Sequence, residues 1–408
     1  MNEHTTNETE QILVAGAGPV GLFTALLLVE AGHPVMVLER EAELSEDMRA
    51  STFHPATLDL LHAVKLAEPL VAAGTPAGTW QYQVHGTDQR AVFDLAVIAD
   101  KTAFPFRLQC EQFRLTRLLA ARLQDHPLCE LRFAHAVSDV ARQNYHDGKE
   151  SVCVDVTGPA GRERIKAPWL IAADGGKSTV RKSLGLPFEG AVFPKTSITL
   201  VVDYPFQEHV ENLLGVNYVW TETAHYSLMR IRNLWRFSYS PQQDQSVEEA
   251  LSEKNAQAAL QSVFPRDEPY TLLQRNYYTL HQRCLDSFRH GHVLFAGDAA
   301  HLNSPAGGMG MNSGLHDAQC LADHLLPVLS GEDDGLLDRY DRRRRTIALD
   351  EVQKLSARNY RRHRETDPQK RAEIWQDLLL TSQNKTRMRE FLLGASMIRS
   401  RERELEIV

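Results

Sequence analysis

Three glycine-rich turns, each closing a short apolar run and each joined to an acid, carry the spacing that most constrains chemistry in this chain. The first is Gly16-x-Gly18-x-x-Gly21, entered from an apolar run at 12–14 and followed by another at 23–29, with Pro19 inside the turn. A further apolar run, Val35–Leu38, ends at Glu39, next to Arg40. Gly16 permits a tight turn, Gly18 lets a pyrophosphate approach the backbone, and Gly21 lets helix and strand pack closely. The start of the helix then offers unpaired N–H groups and a favourable field to phosphate. Glu39 can accept hydrogen bonds from ribose hydroxyls, and its charge disfavours a 2′-phosphate at that position. A lone glycine fingerprint is weak, but strand, turn, helix, strand and terminal acid together predict a bound dinucleotide.

The second turn follows an apolar run at 170–173 and reads Asp174-Gly175-Gly176, with a helix expected from Ser178 to Arg181. Alone it would be an ordinary Asp-Gly turn. The third follows an apolar run at 293–296 and reads Gly297-Asp298-Ala299-Ala300-His301, then Pro305-Ala306-Gly307-Gly308-Met309-Gly310-Met311-Asn312. The periodicity after it predicts a long helix over 313–329, with Leu315, Ala318, Leu321, Ala322 and Leu325 on its packed side. A carboxylate at a strand end can hold polyol hydroxyls, and a glycine-rich turn opening a helix can present backbone N–H groups to a ring carbonyl. Glycines at 307, 308 and 310 are costly unless the backbone must be approached closely.

The stretches GAGPVGLFTALLLVEAGHPVMVLER, ADGGKSTVRKSLG and VLFAGDAAHLNSPAGGMGMNSGLHDAQCLADHL, in that order, make the chain similar over residues 11–345 to the class A flavoprotein aromatic hydroxylases, the family of p-hydroxybenzoate, phenol and 3-hydroxyphenylpropionate hydroxylases. The resemblance implies FAD. Gly16, Gly18, Pro19, Gly21, Glu39 and Arg40 would lie along its adenosine and pyrophosphate part, with Arg49 beside the phosphates and Gln109 on the cofactor side. Asp174 would lie near the pyrophosphate and, with Arg181, on the route of the reducing nucleotide. Asp298 would hold ribitol, Gly308, Gly310, Met311 and Asn312 would border the isoalloxazine, and Pro305 would shape the pocket at its inner edge. The implied reaction is hydroxylation of a small phenolic, amino-aromatic or heteroaromatic substrate, with NADH or NADPH as co-substrate and O2 carried as a flavin C4a-hydroperoxide. Two other readings stay open: an FAD-dependent oxidoreductase or epoxidase acting on a polycyclic or non-aromatic substrate, and a non-catalytic flavin-binding assembly protein.

The elements that must position these residues follow from patterning. Between the second and third turns, strands are expected at 196–204, 217–220, 225–232, 235–240 and 271–280, with a helix at 248–263. The expected fold class is α/β: a Rossmann-like FAD-binding domain with an inserted, mostly antiparallel β-sheet substrate domain and C-terminal helices. The cofactor domain would use segments 11–75, 108–190 and 286–345, the substrate domain 76–107 and 191–285, and the C-terminal helices 346–408. Tyr218 and Trp220 share one strand face, as do Leu228, Arg230 and Arg232 on the next strand. An aromatic wall with one cation would suit a planar ligand. His54, in RASTFHPATLDLL, has an ordinary pKa that would let it take a phenolic proton. His54, Tyr218, Arg230 and Pro305 are therefore the candidate catalytic and substrate-side residues, and His301 is read as structural.

Composition removes other classes. The net charge of -8 argues against a general nucleic-acid binder. The five cysteines lie far apart with no CxxC pair, so no metal site is expected. No Ser-His-Asp order points to hydrolysis. The uncharged run over 12–29 is borderline for a membrane span, yet its glycines and proline are better explained by strand, turn and helix, and the acidic start does not read as a secretory signal. The expectation is a cytoplasmic monomer or homodimer with no integral membrane segment. The arginines at 342–345 and 361–364 read as solvated helix faces, and the closing RERELEIV as a polar, frayed tail.

Overall fold

The short apolar runs assemble into a parallel sheet because each is buried on both faces and needs cover from helices. In the computed structural model, which describes residues 6–48, 50–144, 150–193, 196–222, 224–241 and 245–408, this sheet has six strands. Their spatial order is Arg289–His290, Val293–Phe295, Leu170–Ala172, Ile12–Ala15, Val35–Leu38 and Cys129–Arg132, and all but the first run parallel. Connectivity reverses between Ile12–Ala15 and Leu170–Ala172, and a ligand crevice opens at the carboxyl edge of such a switch point. Register brings the three turns to that edge together, since Ala15 pairs with both Leu38 and Ala172, and Ala172 with Phe295.

Helix Pro19–Glu30 packs between helices Gly310–Leu329 and Gln112–Gln124. Close approach is obligatory at its start: a Cβ on Gly21 would fall 2.0 Å from the Gly16 carbonyl oxygen. The helix after the third turn begins three residues earlier than its apolar periodicity indicated, because Gly310, Met311 and Asn312 already form its first turn.

The inserted sheet has seven strands, ordered Thr271–Tyr278, Ser197–Asp203, Leu234–Tyr239, His225–Ile231, Val216–Trp220, Thr79–Val84 and Arg90–Asp94. All pairings are antiparallel except Thr79–Val84 with Val216–Trp220. One face buries Ile198, Leu200, Leu228 and Phe237 against the helix Glu253–Val263. The other carries Trp80, Tyr82, Tyr218 and Trp220 toward Met309 and the C-terminal helices. The helix expected over 248–263 is two, Val247–Leu251 and Glu253–Val263, because Ser252 is extended and its side chain caps Asn255 N. A four-stranded sheet built from Thr6–Glu8, Gly161–Ala167, Glu150–Gly158 and Ala136–Asn144 was not anticipated.

The C-terminal helices form as expected, but the solvated arginine run at 342–345 and the frayed tail do not. Residues Ile398–Glu406 form a docked helix, with Met397 and Ile398 in the core beside it. Arg344 is 1% exposed and lies between Asp317 and Glu404, while Arg342 Nε and Arg343 Nε donate to the Val408 and Ile407 carbonyls at 3.0 and 2.7 Å. A planar guanidinium with several fixed donors can staple a chain end, so an arginine run that looks solvated in sequence becomes the clasp of the tail. Among the described residues no helix is long and apolar enough to cross a membrane, and no group of three or more His, Cys, Asp or Glu could hold a metal ion.

Candidate active site

At the first turn Gly16 has φ +104°, and a Cβ there would sit 2.5 Å from the Ala173 carbonyl oxygen. Nothing lies within 4 Å of the Cβ position of Gly18. Helix Pro19–Glu30 starts with proline and has no side-chain cap, so its first-turn N–H groups face this open space. Glu39 stands at the mouth of the turn: Oε2 accepts from Ala17 N at 2.7 Å and Oε1 from Glu41 N at 3.0 Å. Those bonds fix the carboxylate and leave it lone pairs for a hydroxyl. Arg40 is exposed and pairs with Glu41, and Arg49 lies outside the described residues.

At the second turn Asp174 Oδ2 accepts from Thr179 N at 2.7 Å and Val180 N at 3.1 Å, while its Oδ1 is buried without a partner. Arg181 is buried, donating to the Ala299 carbonyl at 3.0 Å and the Gly176 carbonyl at 2.7 Å over the Phe188 ring. It ties the second turn to the third, and that geometry is a brace.

The third turn carries Asp298, exposed in the short helical turn Gly297–Ala299. Gly297 N donates to Asp317 Oδ2 at 3.0 Å, and His301 Nε2 and Arg344 Nε donate to the same carboxylate at 2.8 and 2.7 Å. Burial alone would raise the Asp317 carboxyl, but His301 and Arg344 outweigh it and hold the group below the usual carboxylate range. His301 is thus structural, as its sequence context suggested.

Farther along, residues 52–54, Gln109 and 307–312 form one hydrogen-bonded frame. Asn312 Nδ2 donates to the Thr52 and Gly308 carbonyls, both at 2.7 Å, and its Oδ1 accepts from His54 N at 2.9 Å. His54 Nε2 donates to the Gly307 carbonyl at 2.8 Å, and Thr52 Oγ1 donates to Gln109 Oε1 at 3.0 Å. Gln109 Nε2 is buried without a partner. Pro305 is exposed and its carbonyl accepts from Gly308 N at 2.9 Å, closing the turn, while Met311 is buried. Donors at the uncapped helix, acids at Glu39, Asp174 and Asp298, and the orphaned Gln109 amide are the kinds of group that phosphates, hydroxyls and a flavin ring would need.

Two expectations about the substrate side change. Tyr218 pairs with Tyr82 and Ser227, so these share a face, whereas Arg230 pairs with Trp235 on the opposite face. A period of two makes this unavoidable once the register is known. Arg230 instead lines a separate cavity of about 220 Å³ with Thr75, Gln207, Leu214 and Trp235. The second correction is His54. Burial, helped by the Arg107 charge, pushes its pKa down to about 3, and Nε2 is committed to Gly307. That makes His54 a weak base in this arrangement, with Nδ1 buried and unpartnered, and Nε2 holds the glycine turn.

The cation beside Tyr218 is Arg107. It is 4% exposed, with Cζ 4.3 Å from the Trp80 ring centroid and Nε unpartnered. Tyr218 stacks on His363 at 4.7 Å, and Tyr82 Oη lies 3.3 Å from His363 Nε2. Burial holds the Tyr218 phenol above and the His363 imidazole well below their ordinary ranges, so both are neutral. Arg107 was legible, two residues before Gln109 on one strand, Arg107–Gln109. His363 was not, because it sits inside the arginine run that reads as a solvated helix.

Fold and site thus fit a flavoprotein in which Met309 of the third turn packs in one cluster with Trp80, Tyr82 and Tyr218 of the inserted sheet. The profile of the FAD binding domain matches residues 9–354. Para-nitrophenol 4-monooxygenase of a Pseudomonas species (strain WBC-3) is 30% identical over 396 residues, covering 96% of each chain. The 6-hydroxy-3-succinoylpyridine 3-monooxygenase HspB of Pseudomonas putida is 30% identical over 347 residues, covering 83% of this chain and 86% of its own. Among solved structures, p-nitrophenol 4-monooxygenase PnpA from Pseudomonas putida DLL-E4 superposes with a TM-score of 0.89 at 30% identity over 96% of this chain and 99% of its own. The anhydrotetracycline hydroxylase OxyS from Streptomyces rimosus gives 0.78 at 27% identity over 95% and 75%. The chain belongs to the FAD-binding-domain family and is a class A FAD-dependent aromatic hydroxylase.

Proposed function

We propose that the protein hydroxylates a small phenolic or hydroxylated heteroaromatic ring, using NADH or NADPH as reductant and O2 as oxidant. The balance is ring C–H plus NAD(P)H, a proton and O2 giving ring C–OH, NAD(P)+ and water. Bound FAD supplies hydride acceptance and oxygen activation. The residues of this chain do the rest. Gly16, Gly18, Gly21, Glu39, Asp174 and Asp298 hold the cofactor's phosphates and hydroxyls. Gln109, Gly308, Gly310, Met311 and Asn312 fix its ring, with His54 and Pro305 setting the shape of the turn that borders it. Tyr218 and Tyr82 present a planar wall to the substrate, and burial around them excludes water.

The observation that carries this reading is the frame linking 52–54, Gln109 and 307–312, whose Met309 packs in one cluster with Tyr82 and Tyr218 of the inserted sheet. The names of two relatives, for para-nitrophenol and 6-hydroxy-3-succinoylpyridine, support a hydroxylated single ring. Anaerobic stopped-flow reduction of the FAD-loaded protein by NADH and by NADPH, with and without phenols and hydroxypyridines, tests it. Acceleration by one ring compound, followed by incorporation of labelled oxygen on admitting O2, is expected. Fast reduction that no ring compound changes, with no labelled product, would replace it with an ungated oxidoreductase.

A further inference from the structure

Two of the most buried arginines in this fold have acceptor partners. Arg344 lies between two carboxylates, and Arg181 gives two hydrogen bonds to carbonyls. Arg107 is equally buried, yet no carboxylate among the described residues comes within ion-pair distance of it. Its surroundings are the Trp80 ring, the Tyr218 phenol with which it shares a hydrogen bond, and His54, all uncharged. A ring face recovers part of the lost hydration of a guanidinium and a counter-ion recovers far more. The unpartnered Nε of Arg107 and the unpartnered Nε2 of Gln109 come from one side of one strand, between the 52–54 segment and the Tyr218 wall.

We propose that Arg107 is the counter-ion of an ionised oxygen on the ring, so that the substrate is bound as an aryl oxide and not as the neutral phenol. This rests on the aromatic-substrate reading above. The O–H bond breaks, its electron pair stays on oxygen and the proton goes to bulk water, so no protein base is needed and the neutrality of His54 follows naturally. An aryl oxide is also the more electron-rich ring, which is what attack by an electrophilic oxygen requires.

The test is calorimetric titration of the oxidised holoenzyme, without reductant, by 4-nitrophenol and 4-cyanophenol and by the corresponding anisoles, at a pH above the phenol pKa values. Wild type is expected to bind each phenol more tightly than its anisole. Arg107→Met should lower phenol affinity roughly ten- to a hundredfold, the range for a charge-assisted hydrogen bond, with anisole affinity unchanged. Arg107→Lys should keep most of the preference. FAD content and circular dichroism verify folding, and the wild-type comparison stands even if the methionine variant does not fold. The inference is overturned if wild type does not prefer the phenols, or if Arg107→Met loses both ligands equally. It is also overturned if that variant loses FAD while the reloaded protein keeps its preference, which would make Arg107 a cofactor ligand. Anion-selective binding without oxygen incorporation in the reduction experiment would sink the hydroxylation reading and leave this one intact.

Discussion

The imidazole of His54 has a cost that appears as acid lability. Its folded pKa of about 3 lies below the unfolded value, so its contribution to stability is complete above about pH 6.5 and is lost as pH falls toward 3. His316, also buried and also lowered to about 3, acts in the same direction. Each can contribute a slope approaching 1.4 kcal/mol per pH unit within that window. Urea denaturation between neutral and acid pH should therefore show a shallower loss for His54→Gln than for wild type, and an unchanged slope would contradict the buried neutral state. If the buried imidazole is too weak a base to take the substrate proton, the same variant leaves the pH dependence of turnover in place, and a changed pH profile would restore His54 as the base. At Gly21 the added methyl of Gly21→Ala meets a backbone oxygen that cannot swing away. We expect a loss of about 1–3 kcal/mol together with weaker FAD retention, read by denaturation and by flavin content after gel filtration.

At the level of elements, the C-terminal helix is fastened to the cofactor turn by a continuous buried chain from Glu404 through Arg344 and Asp317 to Gly297 N. Glu404→Ala leaves Arg344 buried with one carboxylate instead of two. The expected cost is about 3 kcal/mol, with FAD affinity falling because the turn carrying Asp298 loses its support. Denaturation and equilibrium FAD titration measure the two effects, and a full loss of stability with unaltered FAD affinity would show that the clasp and the turn are uncoupled. Farther away, Ser252→Ala removes a helix cap on the outer face of the inserted sheet and should cost about 1 kcal/mol without touching FAD binding.

At the scale of the molecule, the proposed FAD site joins segments hundreds of residues apart, such as His54 with Gly307 and Thr52 with Asn312. A ligand that binds only the folded arrangement adds stability by mass action, about 2.7 kcal/mol at a hundredfold excess over its Kd. Removal of FAD should lower the melting temperature, and re-addition should raise it with the logarithm of concentration, as scanning calorimetry would show. A melting temperature indifferent to FAD would mean that the groove does not close on it.

The three turns were determined by sequence alone because their chemistry is local. Gly16, Gly18 and Gly21 serve one strand, one turn and one helix, and Asp174 and Asp298 each end a short apolar run, so spacing along the chain is already spacing in space. The alternating pattern likewise indicated a sheet between them, and which residues share a face within one strand. Tertiary structure alone decided which face of each strand meets the cofactor. That depends on register between strands, and it separated Arg230 from Tyr218 and put Arg107 in the place a cation was expected. It also decided that an arginine-rich helix stacks His363 on Tyr218 and that a polar tail is clasped, because burial of a charge is settled by partners distant in the chain, which no local pattern records.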